Sequence, residues 1–135
     1  MAQVLIVEDN EHNLDLMTYL LKTSGHQVVS AMTATEGIRV ASTARPDVIV
    51  LDIHLPDGNG FDVLETLRAD ADVPRVAIVA VTANAMVGDR DRILSAGFDG
   101  YLAKPIEPAT FVRSIDAFLP AELRGHDPVP DWQTS

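Results

Sequence analysis

The stretch VLDIHLPDGNG, residues 50–60, places Asp52 directly after a run of apolar, mostly β-branched residues. A turn rich in proline and glycine follows within a few positions. Unbroken apolar runs of this length are typical of strands in parallel sheets that are covered on both faces. The stretch therefore predicts a buried strand that ends in a carboxylate. Gly58 and Gly60 are expected to relieve Cβ clashes, so that the loop can turn sharply over that carboxylate into a helix.

The rest of the chain alternates between strand patterns and helix patterns. Strands are predicted at Gln3–Val7, Gln27–Met32, Val48–Leu51, Val76–Val81 and Gly100–Ala103. Apolar stripes and capping signals mark five helices: Leu14, Met17, Leu20 and Leu21 before Gly25; the capping-box pair Thr33 and Glu36 before Pro46; Phe61, Leu64 and Leu67; Ile93 and Leu94 before Gly97; and Phe111, Ile115, Phe118 and Leu119 between Pro108 and Pro120. This alternation predicts an α/β fold with right-handed crossovers and helices on both faces of the sheet.

Composition limits the class of protein. The 135 residues suffice for one domain, which we place at residues 1–119, followed by a proline-containing tail at residues 120–135 that is expected to be flexible. A net charge of −10 argues against nucleic-acid binding, and the absence of cysteine excludes disulfides, thiolate zinc sites and a cysteine nucleophile. The apolar runs are too short for a signal peptide or a membrane span. We therefore expect a cytoplasmic protein.

Polar or charged residues follow four of the five predicted strands. They are Glu8 and Asp9 after the first, Asp52 at the end of the third, Thr82 after the fourth and Lys104 after the fifth. In an open α/β sheet the carboxyl ends of the strands share one edge, and ligands bind there. Three carboxylates at one edge repel one another, so one of them must hold a proton unless a cation lies among them, and oxygen ligands alone suit Mg²⁺ better than zinc. A nearby lysine and hydroxyl would contact a phosphoryl group, and a carboxylate is itself a possible nucleophile that forms an aspartyl phosphate.

Each of these residues also has a plain structural interpretation. Asp9 and Asn10 are suited to cap the first helix, and Thr82 or Asn84 to cap the fourth. Lys104 is equally compatible with a solvated charge before Pro105. Singly, such roles are the more common ones, but the shared position at one sheet edge favours a functional site.

The segments VLIVEDN, VIVLDIHLPDGNG, VAVTANA and YLAKP, in this order, resemble the receiver domains of two-component response regulators. The resemblance extends from Val4 to about Leu119, and Thr82 and Lys104 follow Asp52 by the intervals of 30 and 52 residues that this family uses. It implies a flavodoxin-like, doubly wound sheet of five parallel strands in the order 2-1-3-4-5, with five helices.

The resemblance also implies roles for individual residues. Asp52 corresponds to the phosphoacceptor. Asp9 would bind Mg²⁺ directly and Glu8 through water, while His54 would supply its backbone carbonyl and leave its side chain uncoordinated. Thr82 would donate a hydrogen bond to the phosphoryl group, and Lys104 would pair with it.

Three further positions follow from the same resemblance. Tyr101 corresponds to the aromatic residue that changes rotamer on activation, and the peptide bond before Pro105 would be cis and aim Lys104 inward. His54 and Asn84 lie where the family tunes the lifetime of the phosphate.

These roles predict a switch rather than an enzyme that turns over substrate. Asp52 would accept a phosphoryl group from a histidine kinase or a histidine phosphotransfer protein, and the protein would catalyse only its own phosphotransfer and dephosphorylation. Since the tail is too short for a DNA-binding domain, we expect a stand-alone receiver in a phosphorelay that signals through protein contacts. One alternative is the receiver fragment of a hybrid kinase or transcriptional regulator. The other is a haloacid-dehalogenase-type phosphatase, although that family has a second aspartate where this chain has His54.

Overall fold

The computed structural model describes residues 2–83 and 87–124, which form a five-stranded parallel sheet flanked by helices. The sheet strands are β1 (Gln3–Val7), β2 (Gln27–Ala31), β3 (Val48–Asp52), β4 (Ala77–Thr82) and β5 (Gly100–Ala103). The helices are α1 (Glu11–Thr23), α2 (Ala34–Ala44), α3 (Gly60–Ala69), α4 (Val87–Ala96) and α5 (Phe111–Asp116), followed by a 3-10 turn at Ala121–Leu123. The strand order is β2-β1-β3-β4-β5. The predicted doubly wound α/β fold is thus confirmed. Asn84 and most of the predicted tail lie outside the described residues.

Strand β3 lies at the centre of the sheet, with every one of its residues buried. One face of the sheet packs against α2, α3 and α4, through side chains such as Leu51 and Leu64. The opposite face packs against α1 and α5, through side chains such as Val50 and Ile115. A strand covered on both faces has to be apolar at every position, which explains the unbroken run that precedes Asp52.

Side-chain caps start three of the helices. Asn10 begins α1 by accepting a hydrogen bond from the Asn13 amide, and Thr33 begins α2 by accepting one from the Glu36 amide. The second contact confirms the predicted cap at Thr33, and the first shows that Asn10 has the structural role considered for it. Asn59 begins α3 directly after the loop that follows Asp52. The caps therefore fix where the chain leaves the functional edge of the sheet.

Three details differ from the sequence-based expectations. Leu94 was expected to mark the apolar face of α4 but is 47% exposed, because Ile93 alone of that pair turns toward the sheet. The regular part of α5 ends at Asp116, and a tighter turn then carries Leu119 into the core. Gly58 was expected to relieve a Cβ clash, but a Cβ there would lie 3.6 Å from the Cβ of Ala34, which is an ordinary contact.

A buried polar pair joins the far end of the sheet to α5. His26 Nδ1 accepts a hydrogen bond from the Ala2 amide (3.1 Å), so Nε2 carries the proton that is donated to Asp116 Oδ1 (2.9 Å). The Arg124 side chain then donates to the Asp116 and Leu119 carbonyls. The first residues beyond position 119 therefore still contact the domain, and the boundary placed there remains a prediction. Among the described residues, none of the helices has the length and apolar character that crossing a bilayer demands.

Candidate functional site

Asp52 lies at the carboxyl end of the central strand and is only 3% exposed. Its Oδ1 accepts a hydrogen bond from the His54 amide (3.0 Å), and its Oδ2 accepts one from Lys104 Nζ (2.9 Å). The loop that begins at Ile53 and the residue that follows β5 thus orient the two oxygens of one carboxylate. The sequence prediction that Asp52 and Lys104 meet at this edge is confirmed.

Glu8 is the second carboxylate at this edge and is almost completely buried. Its Oε1 lies 2.9 Å from Lys104 Nζ, so the lysine forms ion pairs with Glu8 and Asp52 together. The Lys104 backbone amide donates to the Thr82 carbonyl (2.8 Å), which holds the lysine beside the end of β4. One ammonium group therefore faces two buried carboxylates, and the local charge is negative.

Asp9 completes a group of three carboxylates with Glu8 and Asp52. Their ligand oxygens all lie within 4.8 Å of one another, and Asp9 is the exposed member of the group. Although Lys104 lies close to it, Glu8 Oε1 is buried without a hydrogen bond of acceptable geometry, so it retains capacity for a further donor or cation. Hard oxygen ligands, excess negative charge and one open side match the requirements of a Mg²⁺ site that keeps several waters. The residues present therefore fit a divalent metal ion.

Protonation of Glu8 reflects this crowding. Burial, reinforced by the neighbouring Asp52, raises the pKa of Glu8 to about 7, although Lys104 opposes the shift. For Lys104, burial acts to lower the pKa, but the contacts with Glu8 and Asp52 outweigh it and leave the pKa raised. The lysine is therefore charged at neutral pH, while Glu8 is close to its titration point.

Mg²⁺ binding should accordingly tighten by about tenfold in total as the pH rises from about 6 to about 8, because the proton on Glu8 competes with the metal. Since the folded state raises the pKa of Glu8 above 4.5, the metal-free protein should also lose stability as the pH rises from 4.5 toward 7. Titrations with Mg²⁺ followed by amide chemical shifts would measure the affinity, with Glu8→Gln as the control that cannot titrate. Equal affinities of the wild type at both pH values would contradict this role of Glu8.

Thr82 ends β4 and is 3% exposed. A cavity of about 80 Å³ separates it from α4 and is also lined by Ile53, His54, Phe61, Asp89, Arg92 and Ile93. The Arg92 guanidinium carbon lies 4.5 Å above the centre of the Phe61 ring, a cation–π contact that roofs the cavity. The structure therefore contains open space between Thr82 and α4.

The loop after Asp52 is fastened at two points that the sequence did not reveal. Asp57 accepts hydrogen bonds from the Thr35 amide and hydroxyl and from the Ala34 amide at the start of α2. These contacts, led by the one from Ala34, lower the pKa of Asp57 below its usual value. The second fastening is Gly60, whose amide donates to the Ile53 carbonyl at 2.7 Å. The PDG signal predicted a turn but carried no sign that its aspartate contacts Ala34, 23 residues earlier in the chain.

The remaining predicted positions lie around this core. The His54 side chain is exposed, whereas its backbone is held at Asp52. The Lys104–Pro105 peptide bond is cis, as the resemblance implied. Tyr101 is half-buried, and its hydroxyl accepts a hydrogen bond from Arg90 on α4 (3.2 Å), a partner that could not be predicted from the sequence.

A parallel sheet with three carboxylates at the carboxyl ends of its strands defines a class of protein, and comparison with known proteins identifies that class. Residues 4–116 match the family described as the response regulator receiver domain, and the chain belongs to this family. Its members are signalling switches of two-component systems. The match identifies a receiver domain rather than the haloacid-dehalogenase-type phosphatase considered above.

Both sequence relatives and solved structures are similar to this chain. The polar-differentiation response regulator DivK of Brucella anthropi is 38% identical over 116 residues, which cover 86% of this chain and 94% of the relative, and DivK of Brucella ovis is 37% identical with the same coverage. Among solved structures, the chemotaxis response regulator CheY4 of Vibrio cholerae superposes with a TM-score of 0.82 at 27% identity, covering 88% of this chain and 99% of that one. The receiver domain of the sensor histidine kinase PA1611 of Pseudomonas aeruginosa, solved with a magnesium ion in its active-site cleft, gives 0.78 at 35% identity, covering 87% and 96%.

Proposed function

We propose that this protein is a Mg²⁺-dependent phosphoacceptor switch in which Asp52 receives a phosphoryl group from phosphohistidine. The donor is a histidine kinase or a histidine phosphotransfer protein acting in the cytoplasm. The observation that carries the proposal is the position of the Asp52 carboxylate: it is buried at the end of β3, 2.9 Å from Lys104 Nζ and within 4.8 Å of the Glu8 and Asp9 oxygens. The similar receiver domain of PA1611 coordinates a magnesium ion in its active-site cleft, which supports the proposal.

Each side chain of the site has a separate role in the transfer. An oxygen of Asp52 forms the new O–P bond while the P–N bond of phosphohistidine breaks and the imidazole leaves. Lys104, which already pairs with this carboxylate, follows the developing phosphoryl charge, and Thr82 donates its hydroxyl hydrogen to a phosphoryl oxygen. Asp9, Asp52, the His54 carbonyl and, through water, Glu8 would hold Mg²⁺. When bound, the metal neutralises charge on the phosphoryl oxygens.

The phosphorylated state is read by a downstream protein at a surface made of α4, β5 and α5. Phosphorylation adds about −1.5 to −2 charge units to a pocket that already holds three carboxylates. Thr82 and Lys104 respond to that charge, and both connect directly to β4 and β5. Because α4 covers a cavity beside Thr82, it is the element that can shift at the least cost. The partner therefore recognises a changed protein surface, with no role for nucleic acid or membrane.

A direct test is incubation with acetyl phosphate or phosphoramidate in the presence of Mg²⁺, followed by intact-mass analysis. The wild-type protein should gain one phosphoryl group that is stable in acid and labile in base, and excess EDTA should prevent the gain. Failure of the wild type to become labelled under any Mg²⁺ concentration would overturn the proposed function.

Asp9→Ala should weaken Mg²⁺ binding by about 100-fold and remove Mg²⁺-dependent labelling, because the site loses its exposed anionic ligand. Amide chemical shifts in a Mg²⁺ titration would measure the binding. Asp15→Ala is the matched control, since Asp15 is an exposed aspartate on α1 outside the carboxylate group. If Asp9→Ala retained the wild-type affinity, the cation would bind elsewhere.

A further inference from the structure

Helix α4 is held to the domain by few described contacts. Among the side chains of residues 89–96, Ile93 is the buried one. Two arginines supply polar attachments: Arg92 stacks on Phe61, and Arg90 donates a hydrogen bond to the Tyr101 hydroxyl (3.2 Å). When a helix has so few anchors, each of them contributes a substantial share of the free energy that keeps it in place.

Arg90 contacts a residue of the sheet, whereas Arg92 contacts a residue of α3. Tyr101 is the second residue of β5, and β5 pairs in register with β4, so that Tyr101 lies opposite Ala80 and Ala103 opposite Thr82. The Tyr101 ring packs against the same apolar cluster as Ile93 and Phe98, yet its hydroxyl is held by a guanidinium on the exposed side of α4. The bond therefore links the tyrosine hydroxyl on β5 directly to α4.

We propose that Arg90 is a restraint that holds Tyr101 and α4 in the unphosphorylated arrangement. The inference rests on the proposed function, because it assigns a regulatory element to the same switch. Rotation of Tyr101 to another χ1 rotamer would separate its hydroxyl from Arg90, and a shift of α4 away from β5 would lengthen the same hydrogen bond. The cost of breaking this bond is paid only in the activated state, so it biases the resting equilibrium toward the inactive one.

The bias has a definite size. A hydrogen bond from a charged donor at a partly exposed site shifts a two-state equilibrium by about three- to tenfold. Removal of Arg90 should therefore make activation easier by that factor without altering the phosphoacceptor site, because Arg90 belongs neither to the carboxylate group nor to the described residues that line the cavity beside Thr82. Arg90→Lys, which retains a donor and the charge, should recover part of the restraint.

The experiment compares wild type, Arg90→Ala, Arg90→Lys, Tyr101→Phe and the double variant Arg90→Ala/Tyr101→Phe. Beryllofluoride with Mg²⁺ serves as the phosphoryl mimic, and amide chemical shifts report its apparent affinity. Arg90→Ala should bind the mimic about threefold or more tightly than wild type, since less free energy is spent on the rearrangement. In the Tyr101→Phe background, which lacks the hydroxyl, Arg90→Ala should produce no further change. Arg39→Ala on α2 is the control for loss of one exposed positive charge.

A second measurement needs no phosphoryl mimic. Three-bond couplings of labelled Tyr101 in the unliganded protein report its χ1 populations, and Arg90→Ala should shift them measurably while Arg39→Ala should not. Unchanged χ1 populations in Arg90→Ala would overturn the restraint, even in a protein that is phosphorylated normally. Equal effects of Arg90→Ala in the wild-type and Tyr101→Phe backgrounds would overturn it as well. Failure of the wild type to bind beryllofluoride, by contrast, would refute the proposed function. The χ1 populations would still show whether Arg90 restrains Tyr101.

Discussion

Replacement of Asp52 by asparagine should abolish phosphorylation, with labelling reduced to background. The asparagine side chain keeps the size of the aspartate and an oxygen that can accept the hydrogen bond from the His54 backbone amide, but it is not a nucleophile toward phosphorus. It also removes one of the three negative charges that Lys104 and the metal compensate. Intact-mass analysis after incubation with acetyl phosphate and Mg²⁺ measures the loss directly.

Asp57→Asn is the matched control for this experiment. Asp57 belongs to the same loop and its carboxylate is also hydrogen-bonded, but its partners are Ala34 and Thr35 at the start of α2. The single asparagine oxygen can accept from one of those amides and the hydrogen bond from the other is lost, so the protein should be modestly destabilised but remain folded and become labelled. A urea denaturation curve for each variant separates loss of chemistry from loss of fold. Undiminished labelling of Asp52→Asn would show that another residue accepts the phosphoryl group.

The sequence predicted the positions at the edge of the sheet well, for a physical reason. A parallel strand buried on both faces cannot hold polar residues in its interior, so a carboxylate such as Asp52 marks the point where the strand ends. Repetition of this signal at Glu8, Thr82 and Lys104 identifies one edge without knowledge of the packing. The structure confirms that Asp52, Glu8 and Lys104 contact one another there.

Contacts between elements distant in the chain left no comparable signal. His26 and Asp116 pair across 90 residues, and Asp57 reaches back to Thr35, but neither histidine nor aspartate is placed by a periodic pattern. The exposure of Leu94 illustrates the same limitation, since adjacent residues on a helix point in directions about 100° apart and the sequence does not show whether Ile93 or Leu94 faces the sheet. Arg90 was likewise invisible, because an exposed arginine gains meaning only from the tyrosine that it meets.

Gly60→Ala should destabilise the protein by about 3 kcal/mol and reduce Mg²⁺-dependent phosphorylation severely. A Cβ at this position would lie 2.9 Å from the Asp52 carbonyl oxygen and 2.9 Å from the Ile53 Cα. Both are backbone atoms, so no side-chain rotation relieves the overlap. Either α3 must move away from the sheet or the backbone that carries Asp52 must shift, and each adjustment strains the 2.7 Å hydrogen bond from Gly60 to Ile53.

Gly58→Ala, two residues earlier in the same loop, supplies the comparison. Its Cβ would meet the Ala34 Cβ at 3.6 Å, and Gly58 is not among the glycines with a positive φ, so the change should alter stability by less than about 0.5 kcal/mol. Urea denaturation gives the two free energies of unfolding, and labelling at saturating Mg²⁺ gives the two activities. The first helical residue of α3 is thus expected to set the position of Asp52, because only glycine lets the helix begin against the backbone of the phosphoacceptor. Equal stability and labelling of the two variants would show that the loop, rather than this close approach, positions the carboxylate.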